Sequence, residues 1–163
     1  MNPTKSMVLA ALVATAAHAD ADAGLLAKQL QGVKVTLSHG LKAAATSGKP
    51  ISGKFEVEDG KLQLSVYTAK GQAFSEVVVD LQTGKVEKTE AITGGGDLAA
   101  AKTQGDAMRS AHTSLDAAVR KAESANKGYR AVSVVPSAPD GHPTAEVTLI
   151  KGAESKRVAV PLG

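Results

Sequence analysis

The chain has no Cys and no Trp, and only two Tyr and two Phe in 163 residues. Without Cys there is no disulfide framework and no thiolate metal knuckle. With four aromatic side chains, a surface that stacks nucleic-acid bases is excluded as a design principle. No run of five Lys or Arg occurs, and the formal charge is only +3. The sequence therefore offers neither DNA nor an anionic membrane an evident docking patch. What is abundant is alanine, with 29 residues. The core must come from Val, Leu and Ala, which implies slim helices on β-branched strands.

The first segment reads as an address. Lys5 supplies a positive start, Met7–Ala17 is an uncharged run of 11 residues, and Ala17-His18-Ala19 offers small residues where signal peptidase reads. Such a run is shorter than the roughly 17–25 residues of a membrane-spanning helix. Asp20 and Asp22 follow, and Ala19-Asp20-Ala21 and Ala21-Asp22-Ala23 are competing cleavage positions. The rival reading is an apolar first helix of the domain. With residues 1–19 as a signal peptide, 144 residues remain and one Lys is lost, leaving a formal charge of +2. No later segment approaches 18 apolar residues, so no membrane insertion after cleavage is expected. The expected location is periplasmic or secreted.

A self-match organises the remainder. Thr36–Ile51 aligns without gaps on Ser114–Tyr129 at an offset of 78, and Val77–Leu81 aligns on Val158–Leu162 at an offset of 81. The extra residues fall in the loop Pro136–Pro143. Each copy reads as a helix and then strands. Thr36 and Ser114 are N-caps. Leu37, Leu41, Ala44 and Ala45 share one helical face, as do Leu115, Ala118, Val119 and Ala122. Gly48 and Asn126 are expected in the left-handed position that ends each helix, with Pro50 beyond the first.

The strands of copy one alternate: Phe55 and Val57, then Leu62, Leu64 and Val66, then Phe74 to Leu81. Asp59-Gly60 is a hairpin signal and Lys70-Gly71 a weaker one. If Lys70-Gly71 is a tight turn, Lys61 sits opposite Asp80 and Tyr67 opposite Phe74; a register shifted by two is the alternative. Copy two gives strands over Tyr129–Val135, Thr144–Ile150 and Lys156–Leu162. The expected fold class is α+β, two repeats, each a helix packed on antiparallel β-strands. The expected boundaries are 20–92 for repeat 1, 93–113 for a Gly-rich linker and short helix, and 114–163 for a degenerate repeat 2. Gly94-Gly95-Gly96 is read as a flexible joint, Asp97 as the cap of a helix over Leu98–Thr103 that Gly105-Asp106 interrupts, and Ala107–Ala111 as a lead into the second main helix. Gly24–Leu30 is read as a corresponding lead-in helix.

Catalytic motifs are missing. His39, His112 and His142 have no metal-pair spacing, no Ser sits in Gly-x-Ser-x-Gly, and Gly94-Gly95-Gly96 lacks the Lys-Ser/Thr of a phosphate loop. Glu56 and Glu58 alternate on a strand toward solvent. No metal, no cofactor and no enzymatic activity are expected. Tyr67, Phe74 and Val78 fall on the outer sheet face. That face either packs against the other copy or the lead-in helix, or forms a partner-binding patch.

One stretch is more specific. Val77-Val78-Val79-Asp80-Leu81-Gln82-Thr83-Gly84-Lys85-Val86 resembles the strand and Asp-x-x-Thr-Gly turn of the PepSY domain family, a peptidase propeptide-like domain. Asp80, Thr83 and Gly84 form a structural turn in that reading. The second copy departs from the pattern, because Pro161-Leu162-Gly163 stand where the turn belongs. The resemblance implies a small helix-on-sheet unit in an exported bacterial protein, with another exported protein as partner and inhibition or regulation of a peptidase as role. The rival function is a periplasmic carrier of a small ligand or metal in a cleft between the repeats. Partner identity, oligomeric state and the mutual orientation of the repeats are left open by the sequence.

Overall fold

The computed structural model describes the backbone from residue 16 and the side chains from residue 22. Most of the segment read as a signal peptide, residues 1–19, lies outside the described residues. In chain order the elements are α1 (Ala16–Gln29), α2 (Leu37–Ala44), β1 (Lys49–Glu58), β2 (Lys61–Lys70), β3 (Ala73–Val79), β4 (Val86–Ile92), α3 (Gly95–Arg109), α4 (Leu115–Ala125), β5 (Arg130–Ser137), β6 (Thr144–Lys151) and β7 (Glu154–Pro161). All seven strands share one antiparallel sheet in the order β4-β3-β2-β1-β5-β6-β7. The class is α+β, and the two strand sets are joined at a seam where Gly53 and Lys54 of β1 face Val134 and Ser133 of β5.

Helices α2 and α4 cover one face. Thr36 Oγ1 accepts the His39 amide at 3.1 Å, and the Thr36 amide donates back to His39 Nδ1 at 3.3 Å. This is a capping box with histidine in the place of the usual Glu or Gln. Ser114 Oγ accepts the Ala117 amide at 3.2 Å and starts α4 the same way. Leu37, Leu41 and Ala44 of α2, with Leu115, Ala118, Val119 and Ala122 of α4, are buried on the sheet. Opposite them lie Leu64, Val66, Val77, Val79, Val134, Val147, Leu149 and Val160, all buried. Gly40 lets α2 settle directly onto β2: a Cβ there would stand 2.6 Å from Leu64 Cδ2. The two helices touch through Ser38, whose hydroxyl donates to Asp116, and through Lys42 and Arg120, which reach the same carboxylate at 3.9 and 3.2 Å.

Asp59 and Gly60, at φ 49° and 76°, form the two-residue turn between β1 and β2. The next hairpin differs from the tight turn at Lys70-Gly71. Lys70 pairs with Ala73, so Gly71 and Gln72 make the loop and the register moves by two. Gly71, at φ 62°, takes the first loop position, where a II′-type hairpin wants glycine. Leu64 consequently faces Val79, Tyr67 faces Glu76, and Asp80 is not opposite Lys61.

Several helix boundaries also move. Ala45 caps α2, and Gly48 lies beyond it at φ 156°, where a Cβ would meet the Ala69 carbonyl oxygen at 2.8 Å. Its glycine serves the close approach of β2 rather than a left-handed helix end. Asn126 is not left-handed either, at φ −130°. Its amide group donates to the Ala122 carbonyl at 2.8 Å, and Gly128 takes the positive φ instead. Gly95 and Gly96 begin α3 rather than forming a joint, Gly94 is the N-cap instead of Asp97, and the helix runs 15 residues straight through Gly105 and Asp106. A Cβ on Gly105 would lie 3.1 Å from the Phe74 ring, so this glycine seats the helix instead of breaking it. Residues 107–109 close α3 rather than opening α4. Strand β4, polar and largely exposed, has no counterpart in the sequence reading.

Candidate binding groove

The face of the sheet opposite α2 and α4 is only partly covered. Helix α3 crosses one end of it and α1 approaches from β6 and β7. The sequence builds this by parity. Side chains at 52, 54 and 56 of β1, at 63, 65 and 67 of β2, and at 74, 76 and 78 of β3 point to this face.

Tyr67 and Phe74, the candidate partner-binding aromatics, do sit here, but they are 4% and 5% exposed. Their rings belong to the internal interface with α3, and Val78 is half-buried. The element that packs on Tyr67 and Phe74 is α3, which the sequence reading placed in the linker rather than among the candidates to cover this face, and Tyr67 also borders the groove described next. Two bonds fix that helix: Ser52 Oγ donates to Gln104 Oε1 at 2.7 Å, and Lys49 Nζ donates to the Met108 carbonyl at 2.6 Å. At the other end Arg130 stacks on Phe55, its guanidinium carbon 5.3 Å from the ring centroid. It donates to the carbonyls of Val33 and Val35 at 3.1 and 2.8 Å, which holds the segment crossing from α1 to α2.

Between these two crossings a groove of about 600 Å³ remains open. Its floor is the β1–β5 seam with β6 and β7: Lys54, Glu56, Ser133, Val135, Glu146, Thr148 and Arg157. Ala23 and Leu26 of α1 form one wall; Ala100 and Gln104 of α3 form the other. Val135 is 43% exposed here, high for a valine. The charges are paired along the floor, Lys54 Nζ to Glu56 Oε2 at 2.7 Å and Arg157 to Glu146 at 3.7 Å. Glu56 Oε1, by contrast, is buried with no hydrogen-bond partner among the described residues.

Beside the groove lies Glu76, 8% exposed. Ser65 Oγ donates to its Oε1 at 2.8 Å, and Gln63 Nε2 approaches the same oxygen at 3.4 Å. Burial, with added repulsion from Glu56, Glu58 and Glu90, pushes its carboxyl above the usual range against the lowering effect of Ser65. The Tyr67 hydroxyl is also pushed up, first by burial and then by Glu76. Among the described residues no three His, Cys, Asp or Glu are placed to hold a metal.

Asp80, Thr83 and Gly84 lie together in the turn from β3 to β4. Asp80 Oδ1 accepts from the Gln82 amide at 3.0 Å, the Thr83 amide at 2.6 Å and Thr83 Oγ1 at 2.7 Å. Gly84 adopts φ 71°. The Thr83 hydroxyl, then the backbone bonds, hold the Asp80 carboxyl below its ordinary value. That oxygen is spent on its own turn. The groove residues Ser133, Val135, Thr148 and Arg157 escaped the sequence reading. Only the exposed parity of β5 to β7 pointed at them, and that parity says nothing about which residues a helix will cover. Compared with family models, curated proteins and solved structures, the chain matches none.

Proposed function

We propose that this chain is an exported, non-catalytic protein-binding module made of two PepSY-like units, and that it holds a segment of its partner in the groove over the seam. The two-unit reading draws support from a recurring order, α1-α2-β1-β2-β3 and α3-α4-β5-β6-β7. Ser38 and Asp116, 78 residues apart, bond to each other, and Lys42 and Arg120, also 78 apart, converge on that carboxylate. Equivalent residues meet one another only around a local twofold axis. The observation that carries the binding reading is the open sheet face, walled by two helices and floored by self-paired charges around exposed Val135.

A peptidase is the partner class implied by the PepSY resemblance, and restraint of that enzyme is the role. The test is inhibition across a panel of thermolysin-type metallopeptidases, using the wild-type protein and Val135→Glu. Inhibition that the groove variant relieves, at an unchanged unfolding midpoint, supports the proposal. Inhibition untouched by that variant moves the contact elsewhere, and no inhibition across the panel removes the peptidase.

A second reading, a carrier of a small ligand or metal, draws on the groove's position at the seam and on its polar floor. Chelator treatment separates the two. A binding module keeps its unfolding midpoint, whereas a metal carrier loses several degrees.

A further inference from the structure

We infer that β4 is the edge through which two copies of this chain pair, strand against strand, extending both sheets into one. β4 ends the sheet: one side bonds to β3, and the other faces no strand among the described residues. Such an edge carries a row of unpaired amides and carbonyls, which a further strand satisfies. Residues 86–91 are all exposed.

The charges of the strand point to a second copy as the partner. Two copies joined antiparallel about a twofold axis, with their helices on matching faces, pair symmetrically about one residue set opposite itself. Centred on Lys88, the pair sets ammonium against ammonium; centred on Glu90, it sets carboxylate against carboxylate. Centred on Thr89, Lys88 of each copy meets Glu90 of the other, twice. Opposite charges directly across an antiparallel pair stabilise it, and like charges weaken it. Lys88 and Glu90 stand opposite Val78 and Glu76 of β3, on the face that α3 crosses. Within one copy they bond to each other at 2.7 Å and both are exposed, which leaves them free to pair again across the axis. Glu90 also has the buried Glu76 directly beside it, and a second copy brings Lys88 to its open side. β4 is three strands from β1, so the groove over the seam stays open in each copy. An edge of seven residues is small beside the about 20–30 residues a side of a standard interface. The dimer is therefore weak, dissociating in the micromolar range.

The test is sedimentation equilibrium of the protein from micromolar to millimolar concentration, where a monomer–dimer equilibrium is expected. Lys88→Glu and Glu90→Lys each oppose like charges and should weaken the dimer roughly tenfold. A mixture of the two variants opposes only unlike charges, so a heterodimer should form at close to the wild-type affinity. The double exchange, Lys88→Glu with Glu90→Lys, should restore the homodimer. Rescue by mixing separates lost pairing from a damaged strand, and unfolding midpoints of the dilute variants check that each is folded. A wild-type protein that stays monomeric at millimolar concentration overturns the inference. So does association that both single variants leave unchanged, which places the contact elsewhere, or a mixture that fails to associate. Open-ended growth in place of a dimer joins β4 to β7 and overturns it as well.

Discussion

Glu76 is a carboxylate placed where carboxylates are expensive. Its raised pKa means that the native state holds a proton more tightly than the unfolded chain does. In the window from the ordinary value near 4.5 up to the raised value, the folded protein binds more protons, so stability falls as pH rises. Glu76→Gln keeps an acceptor for the Ser65 hydroxyl and removes the charge. The variant is expected to unfold at a higher temperature than wild type at neutral pH, with the difference closing below the ordinary value. Melting curves across pH check this; a gain that does not vary with pH contradicts it. The Asp59-Gly60 turn gives a second test at this scale. Gly60 sits at φ 76°, so Gly60→Val should cost roughly 1–3 kcal/mol in a denaturant titration, from backbone strain alone.

Among the elements, the starts of α2 and α4, the hairpin at Asp59-Gly60 and the strands of the second half were legible, because Thr36, Ser114 and the period-two alternation act locally. The register of β2 on β3 was not. Lys70-Gly71 and Gly71-Gln72 are both plausible two-residue loops, and only the fit of Leu64 to Val79 under α2 separates them. Helix α3 was misread because Gly105 carries a helix penalty in isolation, which its seat on Phe74 overrides. The apolar parity of Tyr67 and Phe74 was correctly assigned to the outer face, while the element that buries them was invisible to a local pattern. Tyr67→Ala with Phe74→Ala should therefore lower the unfolding midpoint sharply, each large truncation costing about 3–5 kcal/mol. An unchanged midpoint would place the rings at an open surface. On the other face, Gly40→Val should destabilise by about 1–3 kcal/mol, because even its Cβ would stand 2.6 Å from Cδ2 of the fully buried Leu64.

For the molecule as a whole, the seam decides what kind of object this is. The sequence offers a 78-residue offset between two helix-and-strand segments, but not the joining of both strand sets into one sheet. That joining needs β1 and β5 to find each other, and nothing in Gly53-Lys54 or Ser133-Val134 announces a pairing. With α1 of the first half packed on β6 and β7 of the second, the halves should unfold together, in one transition seen alike by far-UV and calorimetric probes. The groove exists only because both halves contribute its floor. The central claim, that this shared floor is where a partner sits, is tested most directly by amide hydrogen exchange of the protein with and without a thermolysin-type metallopeptidase. The account predicts added protection along β1, β5 and β6 at Lys54, Ser133, Val135 and Thr148. Protection confined to the outer strands β4 and β7, with the seam unchanged, would contradict it.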